Sequence, residues 1–140
     1  MNSNEEIISL MFTAGRLLRE RAMTEGSSAS RLHLGTLRYV AEKKQPLMRE
    51  VAQFLRISPP STTSLVNTLV KQGKVRRIED KNDRRTVRLE VTERGHRTLA
   101  ESARRKHGLM QDALKELNEH ERMEFKNILE KIIRFSAEKK

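Results

Sequence analysis

Apolar side chains recur every three or four residues along six segments of the chain, which is the spacing of one buried helical face. The first predicted helix opens with a capping box of Ser3 and Glu6 and ends before a break at residues 26–28. The second predicted helix begins near Ser30 and ends before Pro46, because proline disfavours helical backbone at the residue that precedes it.

Two shorter helices follow, separated by a three-residue turn. The first of them is predicted over residues 47–55 and the second over about residues 59–72. Ser58 is placed to cap the second one, since its hydroxyl can accept a hydrogen bond from a free backbone N–H in the first turn. Gly73 follows that helix as a natural stop, because glycine adopts left-handed backbone without strain.

The spacing then changes from helical to alternating. Residues 86–91 alternate polar and apolar side chains, as a half-buried strand does, and residues 75–79 form a second strand candidate. The segment between them, residues 80–84, has turn composition, so the pair is predicted to be a β-hairpin. A long helix capped by Thr92 and a last helix opened by a capping box at Asn118 complete the chain.

This order of elements predicts a mainly α fold with a small β-hairpin wing (α+β), namely a winged helix-turn-helix. The chain has 140 residues, of which 36% are hydrophobic, against roughly 45–50% in typical globular chains. Because 140 residues is the length of one domain, we expect a single domain over residues 1–140. The winged helix-turn-helix lobe is predicted over residues 30–95. Helical regions are predicted over residues 1–25 and 96–140, and we expect them to dimerise because so lean a core needs a partner.

Charge and composition narrow the class of partner. The formal net charge is +10, so a polyanion is the first partner to consider.

The absence of cysteine excludes a disulfide scaffold and a cysteine-ligated metal site. No segment approaches the roughly 18 consecutive apolar residues of a membrane span, and the first residues are acidic before they are apolar, unlike a signal peptide. We expect a cytoplasmic protein without a membrane partner.

A helical wheel of residues 59–72 separates two faces. One face is built for burial and carries Thr62, Leu65, Val66 and Leu69. The opposite face has only hydrogen-bonding or cationic side chains, which are Ser61, Ser64, Asn67, Thr68 and Lys71. Such a face suits a DNA major groove, although a merely solvated helix face explains this helix equally well by itself.

The predicted hairpin favours DNA. Residues 71–88 contain eight basic and three acidic residues, a net charge of +5 in 18 residues. Because cations at this density repel one another, we expect an anionic partner beside them. An arginine at a narrow hairpin tip fits a minor groove, and Asp83 is interpreted as a carboxylate that orients the guanidinium of Arg85. A turn-forming role, in which Asp83 bonds its own backbone, is the alternative and is compatible with the first.

Three short motifs follow the helix-turn-helix at close spacing. They are VRR at residues 75–77, DKNDRR at residues 80–85 and VTERG at residues 91–95. With these motifs, residues 47–95 resemble the multiple-antibiotic-resistance-regulator (MarR) family of winged helix-turn-helix proteins. The resemblance implies a homodimeric transcription factor, usually a repressor, that binds a pseudo-palindromic operator in double-stranded DNA.

The resemblance also implies which residues contact DNA. In the major groove the contacts fall on the recognition helix, about residues 59–72, at Ser61, Thr63, Ser64, Asn67 and Lys71. In the minor groove they fall on the wing, about residues 75–91, at Asp83, Arg84 and Arg85. Ser64 stands where many relatives carry arginine, so we expect readout by the wing and by DNA shape to be correspondingly larger.

Both ends of the chain carry apolar stripes, over residues 7–18 and 123–133. Packing within one monomer is one interpretation of them. We favour packing against a second copy, because the chain has a small core and the resemblance implies a dimer. The resemblance also implies release from DNA by a small aromatic or anionic effector, for which the sequence identifies no ligand-binding residues.

The sequence contains no nucleophile elbow and no phosphate-binding glycine loop, so we expect neither an enzyme nor a cofactor. Its four histidines show no paired spacing and no metal site is predicted, with a zinc role for His33 and His107 as the open alternative. Two other functions fit a basic winged helix. One is a protein-interaction module with an acidic partner, and the other is a sequence-blind architectural DNA binder.

Overall fold

A computed structural model describes residues 2–22 and 28–138. These residues form six helices and one two-stranded antiparallel sheet. In chain order the elements are α1 (Ser3–Ala22), α2 (Ser28–Lys43), α3 (Met48–Leu55), α4 (Pro59–Lys71), β1 (Val75–Glu79), β2 (Val87–Val91), α5 (Glu93–Lys115) and α6 (Glu119–Glu138). The predicted fold class, mainly α with a β-hairpin wing, is confirmed. Of the predicted break at residues 26–28, Gly26 and Ser27 lie outside the described residues, and the prediction is wrong at Ser28, which is the first residue of α2.

The chain divides into two compact units. One unit is Glu20–Arg104, which contains the predicted lobe of residues 30–95. The other comprises the described residues up to Arg19 and from Arg105 onward. Both boundaries fall inside helices, α1 and α5, so the division does not coincide with a loop.

The core of the first unit is aliphatic and is supplied by three helices and both strands. Its buried members are Leu37, Val40, Val51, Val66, Leu69, Val75, Leu89 and Val91. Burying a side chain of this kind contributes about 1.5–3 kcal/mol relative to leaving it in water. Because α4 and β1 both contribute to this core, α4 and the wing form one packed body.

Local backbone contacts define the helix-turn-helix. Leu47 precedes α3, and its N–H donates to Oε2 of Glu50 at 3.2 Å. Arg56 ends α3 in left-handed backbone with φ of 55°. Ser58 then caps α4 as predicted, since its Oγ accepts a hydrogen bond from the Ser61 N–H at 3.2 Å. This sequence of caps produces the tight turn between the two helices.

The hairpin is antiparallel and joined to the helix-turn-helix by backbone. Val75 pairs with Val91 and Arg77 with Leu89 along the two strands. At the other side of β2, the Leu89 N–H donates to the carbonyl of Pro46 at 2.9 Å. Leu47 and Arg88 form an isolated antiparallel bridge in the same place. The wing is therefore held by the loop before α3 as well as by the core.

Most predicted caps are confirmed and one is wrong. The Thr92 hydroxyl accepts from the Gly95 N–H at 3.1 Å, and Asn118 forms the predicted capping box of α6. The cap of α1 is Asn2 rather than Ser3, since Asn2 and Glu5 exchange backbone-to-side-chain hydrogen bonds of 2.9 Å. Asparagine and serine are both good N-caps, so sequence preference did not separate the adjacent positions. Apart from the end of α1, which adjoins residues outside the described ranges, and the end of α6, for which no bound was predicted, the remaining helix and strand ends lie within two residues of prediction.

Gly95 provides a test of how closely α5 packs on the wing. A Cβ at this position would overlap the carbonyl oxygen of Lys74 and lie 2.5 Å from Cγ1 of Val91. We expect Gly95→Ala to lower the free energy of unfolding by about 1–3 kcal/mol, because backbone must move to make room.

Gly35 in α2 is the matched control, because a Cβ there meets no atom within 4 Å. Gly35→Ala should raise the free energy of unfolding by about 0.5–1 kcal/mol through its better helix propensity. Urea unfolding measures both. A Gly95→Ala protein as stable as the parent would contradict the close packing.

Candidate nucleic-acid interface

The structure places the two faces of α4 as the helical wheel predicts. Thr62, Val66 and Leu69 are buried in the core, and Leu65 is half-buried. The predicted recognition residues are all exposed, and they are Ser61, Thr63, Ser64, Asn67 and Lys71. No acidic side chain belongs to α4, so its outer face presents only polar and cationic groups.

Two hydroxyls at the start of α4 are already oriented by the protein. The Ser58 hydroxyl donates to Oγ of Ser61 at 2.8 Å. The Thr63 hydroxyl donates to the carbonyl oxygen of Pro59 at 3.0 Å. Because its hydroxyl hydrogen is used inside the helix, Thr63 presents an oxygen that can only accept hydrogen bonds from outside.

Asn67 has a partner that the sequence analysis did not anticipate. Nη2 of Arg77, on β1, donates a hydrogen bond to Oδ1 of Asn67. The two residues are ten positions apart and belong to different elements. The interaction therefore joins the polar face of α4 directly to the wing.

At the tip of the wing, the carboxylate of Asp83 forms the turn. Its Oδ1 accepts from the backbone N–H of Arg85 at 3.0 Å, and its Oδ2 accepts from the Thr86 hydroxyl at 3.1 Å. These are the contacts of the turn-forming interpretation, and within the described residues Asp83 makes no hydrogen bond or ion pair with the guanidinium of Arg85. Asp83 shapes the backbone that carries Arg84 and Arg85, whose side chains are exposed.

Charge is compensated at the base of the wing. Nε of Arg76 donates to Oε2 of Glu90 at 2.5 Å across the strands. Nε of Arg88 lies 3.0 Å from Oδ2 of Asp80, and its Nη1 donates to the Gln45 carbonyl oxygen at 2.9 Å. These contacts tie the hairpin to itself and to the loop before α3.

Charge is not compensated at the tip. Within the described part of the chain, five of the eight basic residues in the segment 71–88 have no hydrogen bond or ion pair from their side chains. They are Lys71, Lys74, Lys81, Arg84 and Arg85. Unpaired cations repel one another, and an anion bound beside them lowers the electrostatic energy. Three of these cations, Lys81, Arg84 and Arg85, lie at the tip and are therefore available to an anion there.

Two acidic residues of the wing, Asp80 and Glu90, have pKa values below their ordinary ones. The backbone N–H of Asn82 lowers the pKa of Asp80, and the hydrogen bond from Arg88 lowers it further. The hydrogen bond from Arg76, followed by that from Gln45, lowers the pKa of Glu90. These groups keep the base of the wing intact at any pH near neutrality.

This pattern predicts how the wing responds to acid. A depressed pKa in the folded protein means that the stabilisation by Asp80 is complete above its unfolded pKa, about 3.9, and is lost only at lower pH. The backbone amide signals of Asn82 and Arg88 should therefore stay constant as the pH falls from 7 to about 4 and move below it.

Asp80→Asn is the control, because the variant keeps an acceptor but cannot titrate. Its Asn82 amide signal should lose the acid transition. Nuclear magnetic resonance titration measures both proteins, and a transition at or above the ordinary aspartate pKa would contradict the depressed value.

The described residues contain no group of three or more His, Asp or Glu side chains that could hold a metal ion. His33 is partly buried on α2, and burial, followed by the positive charge of Lys74, lowers its pKa. None of the helices in the described residues is long and apolar enough to cross a membrane.

Comparisons with known proteins give one consistent family. The sequence profile of the MarR family matches residues 16–86, half of the chain. The uncharacterized HTH-type transcriptional regulator YpoP of Bacillus subtilis (strain 168) is 33% identical over 70 residues. That match covers 50% of this chain and 50% of YpoP, so the chain aligns with about half the length of this curated relative.

Solved structures share the fold across nearly the whole chain. Transcriptional regulator Tm0710 of Thermotoga maritima superposes with a TM-score of 0.86 at 14% identity, covering 96% of both chains. The multiple antibiotic-resistance repressor of Listeria monocytogenes gives 0.81 at 16% identity, covering 96% of this chain and 95% of its own. A MepR variant of S. aureus bound to an oligodeoxyribonucleotide gives 0.75 at 17% identity, covering 91% and 96%. At these identities the likeness concerns the fold.

Proposed function

This chain belongs to the MarR family, and from that premise we propose that it is a transcriptional regulator of the repressor type that binds double-stranded DNA in a sequence-specific manner. In this proposal α4 enters the major groove and the hairpin enters the adjacent minor groove. The contacts are made by Ser61, Thr63, Ser64, Asn67 and Lys71 on α4 and by Arg84 and Arg85 on the wing, where Asp83 forms the turn that presents the two arginines. Binding to DNA, rather than catalysis, is the activity.

One observation carries the proposal: an exposed polar helix face without acidic residues lies in the same packed body as a hairpin tip with uncompensated cations. The helix offers short hydrogen-bonding groups to base edges. The tip offers guanidinium groups to phosphates or to the negative potential of a narrow minor groove. A protein that bound an acidic partner through charge alone would have no use for the first of these two surfaces.

We propose further that the protein acts as a homodimer. Neither α1 nor α6 has a buried residue, and both carry large apolar side chains in water. Phe12 is 75% exposed and Ile133 is 63% exposed. Burying such surface against a second copy is strongly favourable, and a two-fold pair presents its recognition helices about one DNA turn, or roughly 34 Å, apart. The matching operator is pseudo-palindromic.

A small aromatic or anionic effector that releases the DNA belongs to the same proposal. Between α3 and the start of α4 lies a mainly apolar groove of about 600 Å³. Arg49 and Arg56 line it, and so does Thr63 of the recognition face. A carboxylate bound beside these arginines would alter the surface that the DNA contacts.

Selection of bound fragments from random duplex DNA at fixed salt tests the function. A sequence-specific regulator should prefer its operator over random duplex by about 10³-fold or more, and the enriched fragments should contain an inverted repeat with half-sites one turn apart. An architectural binder would retain DNA without enriching a sequence. A protein-interaction module would bind duplex DNA weakly in every case.

Two substitutions separate the roles of helix and wing. Arg85→Ala should weaken binding and reduce any preference for A·T pairs beside the half-sites, because it removes a cation from the minor groove. Lys71→Ala should lower affinity evenly across sequences and flatten the salt dependence by about one unit, as expected for a lost phosphate contact. Fluorescence titrations at several salt concentrations measure both.

Lys131→Ala on α6 is the charge-matched control and should leave DNA affinity nearly unchanged, because Lys131 belongs to the other compact unit. If Arg85→Ala bound DNA like the parent, the wing assignment would be wrong.

The dimer is tested by sedimentation. The parent should be a stable dimer at micromolar concentration, and Ile128→Glu should shift it toward monomer, because a charge in an apolar interface is costly. Asn127→Glu adds the same charge to the polar side of α6 and should remain dimeric. A monomeric parent would remove the dimer from the account.

A further inference from the structure

We infer that Arg77 determines base specificity by positioning Asn67. By engaging Oδ1 of Asn67, it converts the only side-chain amide of α4 into a group that can only donate hydrogen bonds, so that Asn67 selects guanine over adenine. The inference rests on the proposed DNA-binding function and adds the base that one residue reads.

The fold brings these two side chains together. Asn67 is exposed on α4, three residues after Ser64 and four before Lys71, in the middle of the polar face. On β1, alternation places Arg77 on the same side of the strand as Val75, whose side chain is buried in the core shared with α4. Arg77 follows Val75 by two residues on β1, and its exposed side chain reaches the side-chain amide of Asn67.

The hydrogen-bonding groups of the Arg77 guanidinium determine which atom of the Asn67 side-chain amide it can bond. A guanidinium carries five N–H donors and no acceptor, so it can be bonded only by the amide oxygen and never by the NH2 group. The Nδ2 of Asn67 therefore points away from Arg77, with both hydrogens available. In the described part of the chain, Asn67 has no other side-chain hydrogen bond.

A donor-only amide cannot make the usual contact with adenine. In that contact the amide oxygen accepts from the N6 amino group while the amide nitrogen donates to N7. Here the oxygen is engaged by Arg77. Its second lone pair does not restore the contact, because the adenine amino group would approach the positive N–H groups of the same guanidinium.

Guanine meets the same pair without conflict. Its major-groove edge presents two acceptors, N7 and O6. The NH2 group of Asn67 carries two hydrogens and the guanidinium beside it adds no acceptor, so these acceptors meet donors and no two donors face each other. The pair is thereby matched to guanine, and a wrong base leaves donors unpaired.

The test measures base preference at the single half-site position that Asn67 reads. This position is identified as the one where Asn67→Ala relaxes selection from random DNA. At that position the parent should prefer guanine over adenine by about tenfold, within the range of one good base contact. Competition titrations with the four bases at fixed salt give the ratio.

Arg77 variants separate positioning from simple attachment of the wing. Arg77→Ala and Arg77→Met both free the amide oxygen and should reduce the guanine preference at that position to about unity or reverse it in favour of adenine. Arg77→Lys retains a cationic donor and should keep the preference for guanine. Lys71→Ala, the control, should lower affinity with the base preference unchanged.

Three results would overturn the inference. They are a parent that prefers adenine at this position, an Asn67→Ala variant that relaxes no position, and Arg77 variants that weaken all sequences equally with an unaltered base ratio. The last would make the contact purely structural. A parent that selects no sequence at all from random DNA would instead overturn the proposed function, and with it this inference.

Discussion

The burial of one side of α4 in the same core as the hairpin determines which side chains the winged helix presents to a partner. Val66 and Leu69 share that core with Val75 and Leu89. Because these side chains point inward, the polar residues of α4 must point outward, and the strand that follows must leave the core beside them. A helix with the same polar face but without this packing would be soluble, yet it would not hold a wing at a fixed position.

Electrostatics then divides the wing into two parts with different roles. Near its base, Arg76 and Arg88 have carboxylate partners, so those cations stabilise the hairpin and the loop before α3. Towards its tip, Arg84 and Arg85 have none in the described part of the chain. Arginine therefore stabilises the hairpin in one place and has no carboxylate partner in another, and the positions of the acidic residues determine which.

Periodicity and capping preferences predicted much of this fold from the sequence. All six helices and both strands are where the spacing of apolar residues places them, and caps such as Ser58 follow from local hydrogen bonding alone. The error at α1 arose because Asn2 and Ser3 have similar capping propensity. The two roles of Asp83 differed only in whether its carboxylate meets a backbone N–H or a guanidinium, which composition does not reveal. The contact between Asn67 and Arg77 depends on the packing of a helix against a strand, so no local pattern could indicate it.

The central claim is that α4 and the wing tip form one continuous surface, which binds a DNA major groove and the adjacent minor groove. A homodimer presents this surface twice. Because the chain has no cysteine, a single Asn82→Cys substitution permits attachment of an iron chelate that cleaves nearby DNA at the wing tip alone. On a selected operator fragment, the account predicts two cleaved zones placed symmetrically about the centre of the site, each in a minor groove that flanks a half-site. A single zone, or cleavage spread evenly along the fragment, would contradict it.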